Sequence, residues 1–139
     1  MKEKILITGG AGFIGSAIIK HFENSEAELF VLDNLSFGSR DFITTDDAHF
    51  FHADILDQPA VNSIFEKVKP NKVLHLAAIH FIPYCNQHPF ESSDINIRGT
   101  IHILQAAAKQ KVNQLLFAST AAVYPICDEA VSETQIGRA

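Results

Sequence analysis

Near its amino terminus the chain reads Thr8-Gly9-Gly10-Ala11-Gly12-Phe13-Ile14-Gly15, with glycines in the pattern Gly-x-x-Gly-x-x-Gly. The apolar run Lys4–Thr8 leads into this turn and residues with helical periodicity follow it, so we expect a strand, a tight turn and a helix. Such a turn must bend sharply, let a ligand approach the backbone and let the helix pack on the strand, and each requirement excludes a Cβ. At the positive end of this helix the amides of Phe13 and Ile14 are expected to face phosphate groups.

A carboxylate closes the second apolar run, Glu28–Asp33. Asp33 can accept hydrogen bonds from the ribose hydroxyls of an adenosine and would repel a 2′-phosphate. The glycine turn and Asp33 together therefore predict a dinucleotide site that prefers NAD to NADP. Arg40 would soften this preference if its loop folded back towards Asp33. Two alternatives stay open at this point: a glycine-rich turn that binds no ligand, and an Asp33 that only caps the end of its strand.

Short apolar runs alternate with longer amphipathic segments along the whole chain. The runs are Lys4–Thr8, Glu28–Asp33, His49–Ala53, Lys72–Leu76 and Asn113–Ser119. They are typical of buried strands in a parallel sheet, and the segments between them have the periodicity of helices. Asp57 is expected to cap the second helix, and the third is expected from about Ser92 to Gln110. The order predicts the α/β class, with a doubly wound parallel sheet (a Rossmann fold) in one domain over residues 1–139.

Two segments interrupt this alternation and are predicted as loops, Asn34–Asp47 and Ile79–Pro89. Loops of this length are often functional. The second holds two histidines and a cysteine shortly after His75, which suggests a metal site at first sight. Their spacing matches none of the standard zinc patterns and His75 falls inside a predicted buried strand, so we expect no metal.

Composition excludes several classes of partner. The 139 residues carry a net charge of −5 and contain no cluster of Lys and Arg, so nucleic acid is not expected to bind. No apolar run approaches the length of a membrane span, and the amino terminus does not resemble a secretory signal. The two cysteines, Cys85 and Cys127, fit a reducing compartment better than a disulfide framework. We therefore expect a cytoplasmic protein.

The combination of motifs is more specific than any one of them. They are Thr8–Gly15, Asp33-Asn34-Leu35, Asp54-Ile55, His75-Leu76-Ala77-Ala78, Asn96-Ile97-Arg98-Gly99-Thr100 and Ser119-Thr120-Ala121-Ala122-Val123-Tyr124. In this order the chain resembles the extended short-chain dehydrogenase/reductases over nearly its whole length. Within that superfamily it is similar to the NAD-dependent nucleotide-sugar epimerases and dehydratases, and most of all to the UDP-glucose 4-epimerases.

The resemblance implies NAD as the cofactor and a nucleotide-sugar as the substrate of the complete enzyme. The cofactor residues that it implies are Gly9, Gly12, Phe13, Ile14, Gly15, Asp33, Asn34, Ser36, Gly38, Asp54, Ile55, Leu76, Ala77, Ala78, His80, Asn96 and Ser119. Asp54 would bind the adenine amino group, His80 the nicotinamide ribose, and Asn96 the nicotinamide half, while the alanine pair would pass under the cofactor. On position alone, Asp54 would merely end the third strand, the alanines would be packing residues, and His80 an ordinary polar residue.

By the same resemblance, Thr120 occupies the place of the catalytic hydroxyl, which would hold the sugar hydroxyl while a base takes its proton. That base in the family is the tyrosine of Tyr-x-x-x-Lys. Four residues after Tyr84 comes His88, and four after Tyr124 comes Asp128, so the motif is absent from these 139 residues. We expect that the chain ends before it. The final strands, the sugar-binding region and one of two dimerisation helices would then also be missing. The expected result is an exposed fifth strand and, at most, a possible homodimer.

Three hypotheses follow from the residues. The chain is the NAD-binding amino-terminal part of an epimerase or dehydratase, inactive as given; or a natural non-catalytic dinucleotide-binding module; or a scaffold that retains the fold without a cofactor. Ser119-Thr120-Ala121-Ala122 lacks the acidic pair that dehydratases usually place beside the catalytic hydroxyl, which favours an epimerase over a dehydratase.

Overall fold

A computed structural model describes residues 2–124 and 130–135. Its strands are β1 (Lys4–Thr8), β2 (Glu28–Asp33), β3 (Phe50–His52), β4 (Lys72–His75) and β5 (Gln114–Phe117). Neighbouring strands pair in parallel, and their order across the described sheet is β3-β2-β1-β4-β5. This confirms the predicted doubly wound sheet. The predicted strands at His49–Ala53 and Asn113–Ser119 are shorter in the structure, while β1 and β2 have the predicted bounds.

Helices cover both faces of the sheet. They are α1 (Phe13–Phe22), α2 (Gln58–Val68), α3 (Ile82–Gln87), α4 (Pro89–Ser93) and α5 (Thr100–Lys109), with a π-helical segment, Asp94–Gly99, between the last two. Single 3-10 turns lie at Arg40–Phe42, Ala121–Val123 and Glu133–Gln135. Asp57 caps α2 as predicted, because its Oδ1 accepts a hydrogen bond from the Ala60 amide at 3.0 Å.

The alternation of side chains along β1 divides the core into two layers. Ile5 and Ile7 point to one face, where they pack with Val31 and with Ile19 of α1. Leu6 points to the other face and packs in a cluster with residues of α2 and α5. Successive side chains of a strand point to opposite faces, so a strand buried on both sides is apolar at every position. Each fully buried aliphatic side chain contributes about 1.5–3 kcal/mol of burial free energy.

The predicted loop Ile79–Pro89 is wrong, because most of it is helical. It contains α3, and α4 begins at Pro89, a few residues before the predicted start at Ser92. Pro83 and Pro89 each lie in the first turn of a helix, where a residue without an N–H loses no hydrogen bond. Prolines that read as loop signals in the sequence are therefore helix starts in the structure.

Candidate functional site

The sheet extends from β1 in both directions. The strands β2 and β3 lie on one side of β1, and β4 and β5 lie on the other, so the direction of the connections reverses between β1 and β4. Ligands of open parallel sheets bind at such a point, outside the carboxyl ends of the strands. A groove of about 490 Å³ opens there, lined by the segments that follow β1, β2, β3 and β4. Sheet topology and cavity position therefore indicate the same site.

Most of the predicted cofactor residues line this groove together. They are Gly9, Gly12, Phe13, Ile14, Gly15, Asp33, Asn34, Ser36, Gly38, Asp54, Ile55, Leu76, Ala77, Ala78 and His80. Asn96, Ser119 and the predicted catalytic residue Thr120 are not part of the lining, to which the segment after β5 contributes Ala118. What each residue binds stays a prediction, but the structure brings nearly all of the predicted set to one place.

The glycines of the first turn are required for different physical reasons. Gly9 has φ +70°, and a Cβ there would lie 2.7 Å from the Ala77 amide nitrogen. A Cβ at Gly15 would lie 2.5 Å from the Gly9 carbonyl oxygen. A Cβ at Gly12 would meet the same oxygen at 3.3 Å and no other atom within 4 Å. The protein's own backbone thus requires Gly9 and Gly15, whereas Gly12 borders open space in the groove.

The first turn of α1 faces the groove through Phe13 and Ile14. Amides in the first turn of a helix have no carbonyl partner within the helix, and the helix dipole makes this end positive. No acidic residue lies in that turn. The predicted phosphate-facing position of these two amides is therefore consistent with where α1 begins.

Asp33 is only 8% exposed and has a backbone partner for each carboxylate oxygen. Its Oδ2 accepts from the Ala11 amide at 2.9 Å, and its Oδ1 accepts from the Leu35 amide at 2.8 Å. Asp33 therefore ties the glycine turn to the loop after β2. Each carboxylate oxygen has a further lone pair, so the same group can still accept from a ribose hydroxyl.

Arg40 does not fold back towards Asp33. Its guanidinium donates to the carbonyl oxygens of Ile43 and Thr45, pairs with Asp47 and lies 4.8 Å from the centre of the Phe50 ring. The arginine that would have softened the preference for NAD is thus bound within its own loop.

Asp54 lies beyond the end of β3 rather than ending the strand. Its Oδ1 accepts from the Leu56 amide at 2.8 Å and its Oδ2 from the Asn34 side-chain amide at 2.8 Å. The next residue, Ile55, packs against Gly99, where a Cβ would lie 2.5 Å from the Ile55 Cδ1. A side chain at position 99 would therefore collide with Ile55, which explains a glycine at the junction of the π-helical segment and α5.

His75, at the end of β4, lies beneath the groove and is 1% exposed. Its Nδ1 is 2.6 Å from the Thr8 Oγ1, and its Nε2 is 2.9 Å from the Thr100 Oγ1. Burial lowers the pKa of His75 to about 4, so the ring is neutral at neutral pH. Both ring nitrogens are thus used in hydrogen bonds inside the protein, and the predicted position of His75 in a buried strand is confirmed.

Asn96 and Thr120 use their side chains on the protein itself. The Asn96 Oδ1 accepts from the Ile79 amide and its Nδ2 donates to the Ile79 carbonyl oxygen, both at 2.8 Å. Thr120 is exposed after β5, and its Oγ1 accepts from the Ala122 amide at 3.1 Å. Neither contact was predicted, because both depend on chain geometry that motifs do not report.

A pair of aromatic residues that no sequence motif indicated also lies in the groove. Phe37 and Tyr84 meet edge to face with ring centres 5.2 Å apart, and both line the groove. The Tyr84 hydroxyl donates to Glu91 at 2.9 Å, which raises the pKa of Tyr84. A tyrosine general base is favoured by a neighbouring positive charge, whereas the group beside the Tyr84 hydroxyl is the carboxylate of Glu91. The other unpredicted lining residues are Leu32, Ala53, Ile79, Glu91, Ile95 and Ala118.

The described residues also lack two features that other functions would need. Among residues 2–124 and 130–135, no group of three or more His, Cys, Asp or Glu side chains is arranged to hold a metal ion. In the same residues no helix has the length and apolar character needed to cross a bilayer. Cys127 and Asp128, which entered the sequence analysis, lie outside the described residues.

The sequence model of the NAD dependent epimerase/dehydratase family matches residues 5–138. The chain is 37% identical over 128 residues to a UDP-glucose 4-epimerase of Bacillus subtilis, covering 88% of this chain and 38% of that protein. It is 38% identical over 112 residues to a dTDP-glucose 4,6-dehydratase of Salmonella typhimurium, covering 76% of this chain and 31% of that protein.

Among solved structures, the chain is similar to the UDP-glucose 4-epimerase of Thermus thermophilus in complex with NAD. The TM-score is 0.87 at 33% identity, and the match covers 97% of this chain and 44% of that one. The chain spans less than half the length of each of these three proteins.

Proposed function

Because the chain belongs to the NAD dependent epimerase/dehydratase family, we propose that it is the NAD-binding amino-terminal portion of a nucleotide-sugar epimerase or dehydratase. The observation that carries this proposal is the groove at the carboxyl ends of β1 and β4. It combines the glycine turn on one side with Asp33 and Asp54 on the other. A dinucleotide needs both a phosphate site and an adenosine site, and the groove offers the two side by side.

The groove residues fit NAD in chemistry and in shape. The amides of Phe13 and Ile14 would receive the pyrophosphate, because the first helical turn supplies unpaired donors and positive potential. The open space beside Gly12 would let the phosphates approach the backbone. Asp33 would accept from the adenosine ribose and Asp54 from the adenine amino group. Ala77 and Ala78 would lie beneath the cofactor, and His80 would lie near the nicotinamide ribose, with Asn96 and Ser119 completing that end.

In the complete enzyme, bound NAD would supply the hydride acceptor for a sugar carbon. Thr120 would hold the sugar hydroxyl while a base removes its proton. The family's base and its lysine partner are not among the 139 residues, and the Glu91 contact makes Tyr84 unsuitable. We therefore propose that the chain as given does not turn over UDP-glucose or UDP-galactose. A natural, non-catalytic NAD-binding module is the second candidate, and the coding sequence downstream of Ala139 would decide between them.

An apolar stripe supports a homodimer of the complete protein. Phe90, Ile97, Ile101 and Leu104 lie along α4, the π-helical segment and α5 with exposures of 90%, 63%, 45% and 47%. The last three recur at helical spacing, so they share one face. Exposed apolar stripes of this kind usually mark an interface.

We propose the same cytoplasmic location that the cysteine content suggested.

Calorimetric titration with NAD tests the proposal directly. We expect saturable binding below about 1 mM, and weaker binding of NADP. Asp33→Asn should weaken NAD binding by about ten-fold or more, because a charged acceptor becomes a neutral one and the Asn side chain, whose amide nitrogen is a donor, cannot accept from both the Ala11 and the Leu35 amides. Asp47→Asn is the matched control, since Asp47 is a fully exposed carboxylate in the loop that follows Asp33. Failure of the unsubstituted chain to bind NAD or NADH at millimolar concentration would refute NAD binding and leave the scaffold hypothesis.

A further inference from the structure

A line of buried and partly buried hydrogen bonds runs beneath the groove and links three elements. Thr8 ends β1, His75 ends β4, and Thr100 begins α5. The Thr8 hydroxyl, the two ring nitrogens and the Thr100 hydroxyl follow one another at 2.6 and 2.9 Å. The line continues at both ends, because the Ala77 amide donates to the Thr8 Oγ1 at 3.4 Å and the Thr100 hydroxyl donates to the Asn96 carbonyl oxygen at 2.7 Å.

The direction of each hydrogen bond in this line is fixed. The Thr100 hydroxyl gives its proton to the Asn96 carbonyl oxygen, so it must accept from His75, whose Nε2 therefore carries the hydrogen. A neutral ring then has a bare Nδ1, which accepts from the Thr8 hydroxyl. The Thr8 oxygen in turn accepts from the Ala77 amide. Among neutral rings, only the Nε2–H tautomer satisfies every partner, because a bare Nε2 would compete with the Asn96 carbonyl oxygen for the single Thr100 proton.

Both ends of the line hold backbone that lines the groove. Gly9 follows Thr8, and its backbone passes so close to Ala77 that no Cβ fits between them. At the other end, Asn96 receives the Thr100 hydroxyl on its carbonyl oxygen and holds Ile79 through two side-chain hydrogen bonds. The neutral ring is therefore a second link between the glycine turn and the segment Leu76–His80, beside the Leu76 amide that donates directly to the Thr8 carbonyl oxygen at 3.0 Å.

We propose that His75 is a positioning residue for the dinucleotide: through Thr8 and Thr100 it sets the spacing between the glycine turn and the segment Leu76–His80, and so determines the affinity of the groove. This inference rests on the proposed NAD binding. The ring faces hydroxyls of Thr8 from β1 and Thr100 from α5, and the ring of Phe117 from β5 at 5.7 Å. No charged group contributes to its pKa, which burial alone lowers. The link therefore stays intact throughout the neutral range.

Two substitutions at His75 test the hydrogen bond to Thr8 and the hydrogen bond to Thr100 separately. His75→Asn places an amide oxygen near the position of Nδ1 and retains the acceptor for Thr8, whereas His75→Gln retains a donor near Nε2 for Thr100. If the Thr8 half holds the groove, His75→Gln weakens NAD binding by about ten-fold and His75→Asn by no more than about three-fold. Thr8→Val removes this hydrogen bond and also the acceptor of the Ala77 amide, so it should weaken NAD binding at least as much as His75→Gln. His21→Asn, at an exposed histidine of α1, is the control.

The dissociation constants are measured at a temperature at which circular dichroism shows every variant folded, because a purely structural role would change stability and leave the affinity of folded molecules unchanged. Nitrogen-15 NMR of the unsubstituted chain gives a readout that needs no cofactor and no variant. We expect the Nε2–H tautomer of His75, and amide resonances of Ala77 and Ile79 that shift with the titration of that ring.

Equal NAD affinity in all folded variants would overturn the inference while leaving NAD binding intact. An Nδ1–H tautomer, or Ala77 and Ile79 resonances that ignore the titration of His75, would overturn it as well. Absence of NAD binding by the unsubstituted chain would refute the proposed function and this inference with it.

Discussion

The two ends of the sheet each hold a histidine, and they hold it in opposite ways. At the carboxyl end, His75 lies buried between two hydroxyls, and burial lowers its pKa to about 4. At the amino end, His49 lies just before β3 and contacts Glu28 at 3.1 Å and Asp46 at 2.6 Å. The hydrogen bond to Glu28, together with that to Asp46, raises the pKa of His49 against the effect of partial burial. One ring is kept neutral and the other is favoured as a cation.

The difference follows from what each end of the sheet has to do. The carboxyl end must bring backbone close to a ligand, and neutral hydrogen bonds fix its geometry without adding a competing charge. The amino end carries a larger cavity, about 680 Å³, lined by charged side chains that include Lys2, Lys4 and Glu23. Volume alone would have indicated the amino end as the site. Topology and backbone geometry indicate the carboxyl end, and these have the stronger physical basis.

The largest effect is expected at the glycine turn, where the carboxyl end depends on the absence of side chains. Gly9→Ala places a methyl group 2.7 Å from the Ala77 amide nitrogen on a backbone with φ +70°. Neither backbone can move without disturbing the sheet, so the free energy of unfolding should fall by about 3 kcal/mol or more. Urea unfolding measures the loss, and NAD binding should be abolished.

Gly12→Ala is the matched control for that substitution. Its Cβ meets only the Gly9 carbonyl oxygen, at 3.3 Å, so the free energy of unfolding should change by at most about 1 kcal/mol. NAD binding should nevertheless weaken strongly, because the methyl group projects where the phosphates are proposed to lie. Equal stability losses in the two variants would contradict the distinction between a glycine required for packing and one required for a ligand.

A smaller effect is expected from acid at His75. Its pKa is about 4 in the folded chain, against 6.5 when unperturbed, so the unfolded chain takes up the proton first as the pH falls. The free energy of unfolding should therefore fall by about 2 kcal/mol between about pH 7 and about pH 5 through this group alone. His75→Gln lacks this contribution, so its deficit relative to the unsubstituted chain should shrink over that interval. Urea unfolding of both proteins across the interval measures it, and a constant deficit would be the contrary result.

The smallest effect, with the opposite sign, is expected at His49. The pKa of this group is raised in the folded chain. The contribution of His49 to the free energy of unfolding is therefore complete below about pH 6.5, and it is lost as the pH rises through the pKa that His49 has in the folded chain. The melting temperature of the unsubstituted chain should exceed that of His49→Gln below that pH, and the two should converge in mild alkali. A difference that grows with pH would reverse the assignment. Solvent and salt screen these contacts, so the difference should also diminish in high salt.

Local features of the sequence were enough to predict most of the fold. The strands at Lys4–Thr8 and Glu28–Asp33 were predicted with their observed bounds, because buried parallel strands are apolar without interruption. The segment Ile79–Pro89 was predicted as a loop because it interrupts the alternation of strands and helices, but it forms a short helix and the start of the next, with Pro83 and Pro89 in their first turns. A proline fixes only its own φ angle, and that angle occurs both in loops and in the first turn of a helix, so the residue alone does not distinguish the two.

The candidate site divides in the same way. The residues themselves indicated the glycine turn and Asp33, because these requirements concern single residues beside a strand end: no Cβ in a close approach, and a carboxylate where a ribose is expected. Asp54 was named only through the family resemblance. Tertiary structure alone decided the Phe37–Tyr84 contact, the hold of Asn96 on Ile79, and the neutral state of His75 between Thr8 and Thr100. Those contacts join residues far apart in the chain, and a tautomer or a pKa depends on which atoms packing brings within hydrogen-bond distance. The residues of the glycine turn could therefore be identified from the sequence. The spacing between that turn and the segment Leu76–His80, which would let the groove bind a dinucleotide, depends on the folded sheet beneath them.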